Sequence, residues 1–138
     1  MTIQEYFGTL QQSFVEIWKN HLATSKYSAH IALNDYYDEI VDAMDTTIED
    51  YQGIYGKLGD LKNVIDTDIN NPITYLEKIK KFLKDGREKF IDKKDTELWS
   101  DLDNVLSIID STLYKLKEFK ECKNHKSLFD YINEASIN

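Results

Sequence analysis

Apolar side chains recur along this chain at helical rather than strand spacing. Leu10, Phe14, Ile17 and His21 follow one another at steps of four, three and four. A second stripe runs through His30, Leu33, Tyr37, Ile40, Met44, Ile48 and Tyr51, every step three or four. Ile73, Leu76, Ile79 and Leu83, with Phe82 beside them, make a third. Leu98, Leu102, Val105, Ile109, Leu113, Leu116 and Phe119 make a fourth, flanked by Trp99 and Leu106. Each stripe covers several helical turns with one apolar face, and no segment sustains the alternation of a strand. The pattern predicts an all-α chain of four main helices.

The breaks carry recognisable chemistry. Thr24-Ser25 offers a hydroxyl N-cap for the second helix, and Gly53, Gly56 and Gly59 end that helix between Tyr51 and Lys57. Asn70-Asn71-Pro72 starts the third helix with proline in its first turn. Gly86 is expected to weaken the end of that helix, and Lys93 to Thr96 to turn into the fourth. Residues 126–135 could add a short terminal helix through Leu128, Phe129 and Ile132. The first connection is only about four residues, which makes helices one and two antiparallel neighbours. The second runs from about Ile54 to Asn71, long enough to cross the bundle or to hold a short helix. This short–long–short order predicts a four-helix bundle with a long connection between helices 2 and 3, the ferritin-like connectivity. An up-down bundle, which needs no crossover, is the alternative.

Composition narrows the class. The 138 residues suit a single helical-bundle domain spanning 1–138, and one proline with five glycines is too few for a turn-rich sandwich or barrel. No apolar run approaches the roughly 18 residues of a membrane span. Met1-Thr2-Ile3-Gln4-Glu5 lacks the basic start and apolar stretch of a secretory signal. A single cysteine, Cys122, fits a reducing compartment, so a cytoplasmic setting is expected, in a cell or an infected host, with a virion as the other possibility. The formal charge of −8 argues against generic nucleic-acid binding. Lys115, Lys117, Lys120, Lys123 and Lys126 are interspersed with Glu118 and Glu121, which reads as a solvated helix face. Cys122 and His125 have no further ligands nearby in sequence and receive no site.

Candidate chemistry concentrates on the first two helices. His21 closes helix one and His30 opens helix two, so a tight turn brings their imidazoles together. Asp45 and Glu49 are four apart on helix two and share a face. Two histidines and two carboxylates form a nitrogen-and-oxygen ligand set for iron or manganese. His30 and Asp45 are separated by about 22 Å of helical rise, whereas donors to one ion lie within about 5 Å of each other. One subunit therefore cannot gather all four, but two can. Antiparallel packing of helix two on its symmetry mate sets His30 of one chain beside Asp45 and Glu49 of the other, giving two identical sites per two-fold dimer. The alternative for each residue is structural: helix-end histidines with satisfied hydrogen bonds, and the solvated face of an amphipathic helix. Tyr36, Tyr37, Tyr51 and Tyr55 read as packing rather than as redox relays.

The run His21…His30-x3-Asn34-x10-Asp45-x3-Glu49, with Asp42-Ala43-Met44-Asp45-Thr46-Thr47-Ile48-Glu49 around the last pair, resembles the signature of Dps-type mini-ferritins in the ferritin-like superfamily. The resemblance covers residues 14–53. It implies a four-helix bundle, a twelve-subunit hollow shell built from two-fold dimers, and iron oxidation and storage at sites between subunits. His21, His30, Asp45 and Glu49 would then be the metal ligands. The chain departs from that pattern at Asn34, where the family carries an aspartate. It departs again in the close spacing of its histidines and in having no lysine before Lys19. The chain is similar, too, to small ferritin-like proteins of bacteriophages. A second expectation follows from Asn34: a structural or interaction protein, of a phage particle for instance, that keeps the bundle with a degenerate metal site. Nucleic-acid compaction is a third, disfavoured by the acidic balance.

Overall fold

The computed structural model describes residues 1–66 and 71–119. It is all-helical there, with α1 at Ile3–Ala23, α2 at Tyr27–Tyr55, α3 at Pro72–Phe90 and α4 at Thr96–Glu118. The proposed terminal helix, Cys122 and His125 lie outside the described residues. No described helix is long and apolar enough to cross a membrane.

Helix α1 begins seven residues before its first stripe residue, Leu10, because Thr2 and Glu5 form a capping box. The Glu5 amide donates to Thr2 Oγ1 (3.1 Å) and the Thr2 amide to Glu5 Oε1 (2.9 Å), so two amides at the helix start are satisfied reciprocally. Helix α2 starts otherwise than expected. Its N-cap is Lys26, which makes no side-chain cap. The Thr24 hydroxyl instead accepts from the Lys26 amide within the turn, at 3.2 Å. The ending at Gly56 agrees with the sequence. So does the start of α3, where Asn71 Oδ1 accepts from the Thr74 amide and proline follows the cap.

Four-way packing buries the predicted stripes. Tyr6, Phe7, Leu10 and Ile17 of α1 meet Leu33, Tyr36 and Ile40 of α2, Leu76, Ile79 and Leu83 of α3, and Leu98, Leu102, Val105 and Ile109 of α4. Tyr36, rather than Tyr37, is the fully buried member of its pair, and its hydroxyl bonds Ser13 Oγ at 2.7 Å. Phe119, the last residue of the fourth stripe, is exposed.

α1 packs on α2 and α3, and α4 packs on the same two helices. Each neighbouring pair is antiparallel. Phe7 meets Tyr51 at one end of the α1–α2 seam and His21 meets His30 at the other. Tyr6 donates to the Leu83 carbonyl (2.6 Å), placing the start of α1 against the second half of α3. Lys117–Glu77 (2.8 Å), Lys80–Asp110 (2.6 Å) and Arg87–Asp103 (2.5 Å) run in opposite order along α4 and α3. Lys115 of α4 reaches Asp35 near the start of α2, at 3.3 Å. It follows that α2 and α3 point the same way across the diagonal.

Residues 56–66, which follow α2, lie along the first half of α1. Gln4 Nε2 donates to the Leu58 carbonyl, the Lys62 amide to the Gln4 carbonyl, and the Val64 amide to Thr9 Oγ1. Gly8 permits this approach: a Cβ there would stand 2.2 Å from the Lys62 backbone. Gly86 works similarly. Rather than weakening the end of α3, which continues to Phe90, it makes room for Tyr6, whose Cε1 would be 2.2 Å from an added Cβ.

A candidate metal centre at the α1–α2 turn

A turn of only three residues, Thr24–Lys26, joins α1 to α2 and folds His30 back onto His21. The rings stack with centroids 3.8 Å apart and planes 25° from parallel. His30 Nδ1 lies 3.1 Å from the His21 carbonyl oxygen. A carbonyl can only accept, so Nδ1 carries the proton, and neutral His30 keeps its lone pair on Nε2.

His21 is nearly enclosed, with 6 % of its surface accessible, and neither ring nitrogen has a hydrogen-bond partner among the described residues. Burial, reinforced by the nearby His30, holds its pKa below the usual histidine value, while the charge of Asp38 acts in the opposite direction. His21 is thus neutral at pH 7, with one buried donor and one buried acceptor unanswered. An orphaned group of this kind costs about 1–3 kcal/mol, and it marks a place that a partner would stabilise.

Around the pair, Tyr37 sets its ring edge against His21 at 5.1 Å. Its hydroxyl donates to Asn34 Oδ1 (2.8 Å), and Asn34 Nδ2 donates to Asp38 Oδ2 (3.1 Å). His30, Asn34 and Asp38 follow at steps of four and share one flank of α2. Asp38 is therefore the carboxylate held at this turn, although neither it nor Asp35 stands at the position of the family's aspartate. The four-residue step was the available signal. Its reach was hidden because an aspartate two turns from His30 becomes relevant only when His21 packs alongside.

The structure unites His21 with His30 but leaves Asp45 and Glu49 apart from them. Both carboxylates are exposed on α2, farther along by the helical rise noted above. Among the described residues, no group of three or more histidine, cysteine, aspartate or glutamate side chains is arranged to hold a metal within one chain. The two imidazoles also do not converge. Lone pairs lie in the ring planes, so nearly parallel rings direct them side by side, and one ion bound by both would require a ring to rotate.

Exposed apolar side chains occur on both helices. Trp18, Leu22, Ile31 and Val41 are exposed on α1 and α2. Phe14 stacks on Trp18 (6.3 Å) and meets Tyr37 edge-on (6.1 Å), which joins Trp18 to the histidine pair.

Residues 21–116 match the model of DUF5856, described as a family of unknown function. No curated protein and no solved structure matches the chain.

Proposed function

We propose, for a chain that belongs to the DUF5856 family, that it binds ferrous iron between two copies of itself and oxidises and stores it, as Dps-type mini-ferritins do. Buried, neutral His21 with both nitrogens unpartnered is the observation that carries this reading. An imidazole in that state is a competent ligand for ferrous iron without a prior proton loss. His30 supplies the second nitrogen through Nε2 once one of the two stacked rings rotates. Asp45 and Glu49 of a second chain supply hard oxygen donors when the two α2 helices pack antiparallel. The exposed Trp18 and Leu22, one turn apart on α1 next to His21, support such pairing, since exposed large apolar side chains favour association. The parallel run of α2 and α3 across the diagonal supports ferritin-like connectivity, in which one long crossover joins them. Iron here is substrate and cargo, and dioxygen or peroxide accepts its electron. The assembly would be a homo-oligomer, a dodecamer of two-fold dimers.

Anaerobic Fe(II) titration tests the reading. Saturable binding is expected in the parent chain, and it should disappear in His30→Ala and in Asp45→Ala/Glu49→Ala. Binding that these variants leave unchanged would sink it. Mixing His30→Ala with Asp45→Ala/Glu49→Ala is more specific, because half of the sites in a mixed two-fold dimer regain a full ligand set.

Asn34 favours a second reading. It is neutral, and both ends of its amide are already engaged, by Tyr37 and Asp38. A site degenerate at this position suits a structural or interaction protein, such as a component of a phage particle, that has kept only the bundle. Light scattering after gel filtration separates the two: a closed shell of about a dozen chains supports the first, and a monomer or open ring the second.

A further inference from the structure

The helices divide charge unequally. α2 holds seven acidic residues and no lysine or arginine, whereas α3 holds six basic residues and three acidic ones. The two occupy opposite corners of the bundle, since each packs on α1 and α4 and not on the other. On α2, Glu39 and Asp42 border a shallow groove shared with Asp101 and Asn104 of α4. On α3, Lys81 and Lys84 border a groove shared with Leu113 and Lys117 of α4. Both pairs are three residues apart in sequence, so each spans the same helical rise of about 4.5 Å. Ion pairs within the fold already use Lys80, Arg87 and Lys117, which meet Asp110, Asp103 and Glu77. Glu39, Asp42 and Lys84 are exposed, and no ion pair among the described residues engages them. Lys81 is held only by Asp85, one turn on, and both are well exposed.

We propose that the exposed face of α3 docks on the exposed face of α2 in a second copy of this chain, setting Lys81 and Lys84 against Glu39 and Asp42. A second copy is the occupant because the chain carries both halves of the match, at the same pitch. A polyanion fits α3 less well, since Glu77, Asp85 and Glu88 are interspersed among its lysines and the chain's charge of −8 repels it. The contact joins two different faces, so it is heterologous and propagates into a closed ring or an open filament. Exposed ion pairs are individually weak and screened by salt, which makes the association concentration-dependent. His21, His30, Asp45 and Glu49 take no part in it, so it is independent of the iron reading.

Sedimentation velocity of the full chain at a series of concentrations tests this. The average mass should be at least about twofold lower in about 1 M salt than in about 0.1 M, because the screening length shrinks from about 10 to about 3 Å. Lys81→Glu/Lys84→Glu and Glu39→Lys/Asp42→Lys should each lower the mass, to a dimer where the iron reading holds and to a monomer where it fails. Mixing the two variants should restore the parent's mass, since each reversed face then meets its opposite on the other chain. Circular dichroism checks that the variants keep their helices; should a reversed chain fail to fold, Lys81→Gln/Lys84→Gln supplies the same comparison with a smaller drop. A mass that neither salt nor charge reversal changes overturns the proposal, and so does a mixture no heavier than its components. Retardation of DNA by the parent but not by Lys81→Glu/Lys84→Glu, with the mass unchanged, overturns it in favour of a polyanion on α3.

Discussion

The two ends of the bundle are built on different principles. Where α1 starts and α3 finishes, Tyr6 is enclosed by Phe7, Phe82 and Phe90 at centroid distances of 5.2, 5.7 and 5.7 Å, and its hydroxyl is spent on the Leu83 carbonyl. Atoms left over there, Arg87 Nε and Asp101 Oδ2, belong to charged side chains. Arg87 is otherwise occupied by Asp103 and by the face of Trp99. At the opposite end, uncharged buried atoms of His21 and Asn20 stand unpartnered among the described residues. One end invests in packing, and the other gives up stability for groups that can receive something. Binding sites generally show that trade.

The contrast can be broken most forcefully at the packed end. Tyr6→Ala should cost about 3–5 kcal/mol, measured by urea denaturation, because it empties an aromatic cluster and frees a buried carbonyl. A cost close to that of a surface substitution would show that the cluster is not the anchor it looks like.

Gly86→Ala should cost about 1–3 kcal/mol through overlap with the Tyr6 ring. The ring can tilt, so the effect is smaller than its removal. Placing the same change in a Tyr6→Ala background should abolish most of that cost, since the clashing partner is gone.

At the receptive end the sign should invert. His21→Leu is expected to raise stability by about 1 kcal/mol, since an apolar side chain of similar bulk replaces two orphaned nitrogens. Destabilisation instead would mean that the ring nitrogens have partners in solution, and the comparison between the ends would fail.

The smallest effects are pH slopes of opposite direction. Asp101 is pushed up to about 6, first by burial, then by its contact with Asp50 and by the charges of Asp50 and Glu97. Its folded pKa lies above the unfolded one, so its contribution is present below the unfolded value and disappears as pH rises through 6. His21 is shifted down, so the unfolded chain binds its proton more readily, and stability is lost as pH falls below the ordinary histidine value of about 6.5. The two partly cancel between pH 7 and 5. Melting temperatures should therefore rise on acidification in His21→Leu and fall in Asp101→Asn. Parallel profiles in the two variants would contradict both assignments.

Helical spacing alone made the four helices and most of their buried faces legible, because burial selects one side of each helix and leaves a 3.6-residue rhythm in the chain. Proline after Asn71 and glycine at position 56 were read correctly for the same kind of local reason. The meeting of His21 and His30 also followed from the brevity of the turn. The capping box Thr2-x-x-Glu5 is equally legible in the sequence, and it sets the start of α1 ahead of the first stripe residue. Tertiary packing decided the remainder. Gly86 reads as a helix weakener until Tyr6, eighty residues away in sequence, comes to lie on it. Nor can spacing reveal that Asn20 and His21 are sealed with unmet polar atoms, or that Asp101 is paired with another acid. Each of these depends on which helix lies alongside, and that is settled by how four apolar faces close on one another rather than by any local run of residues.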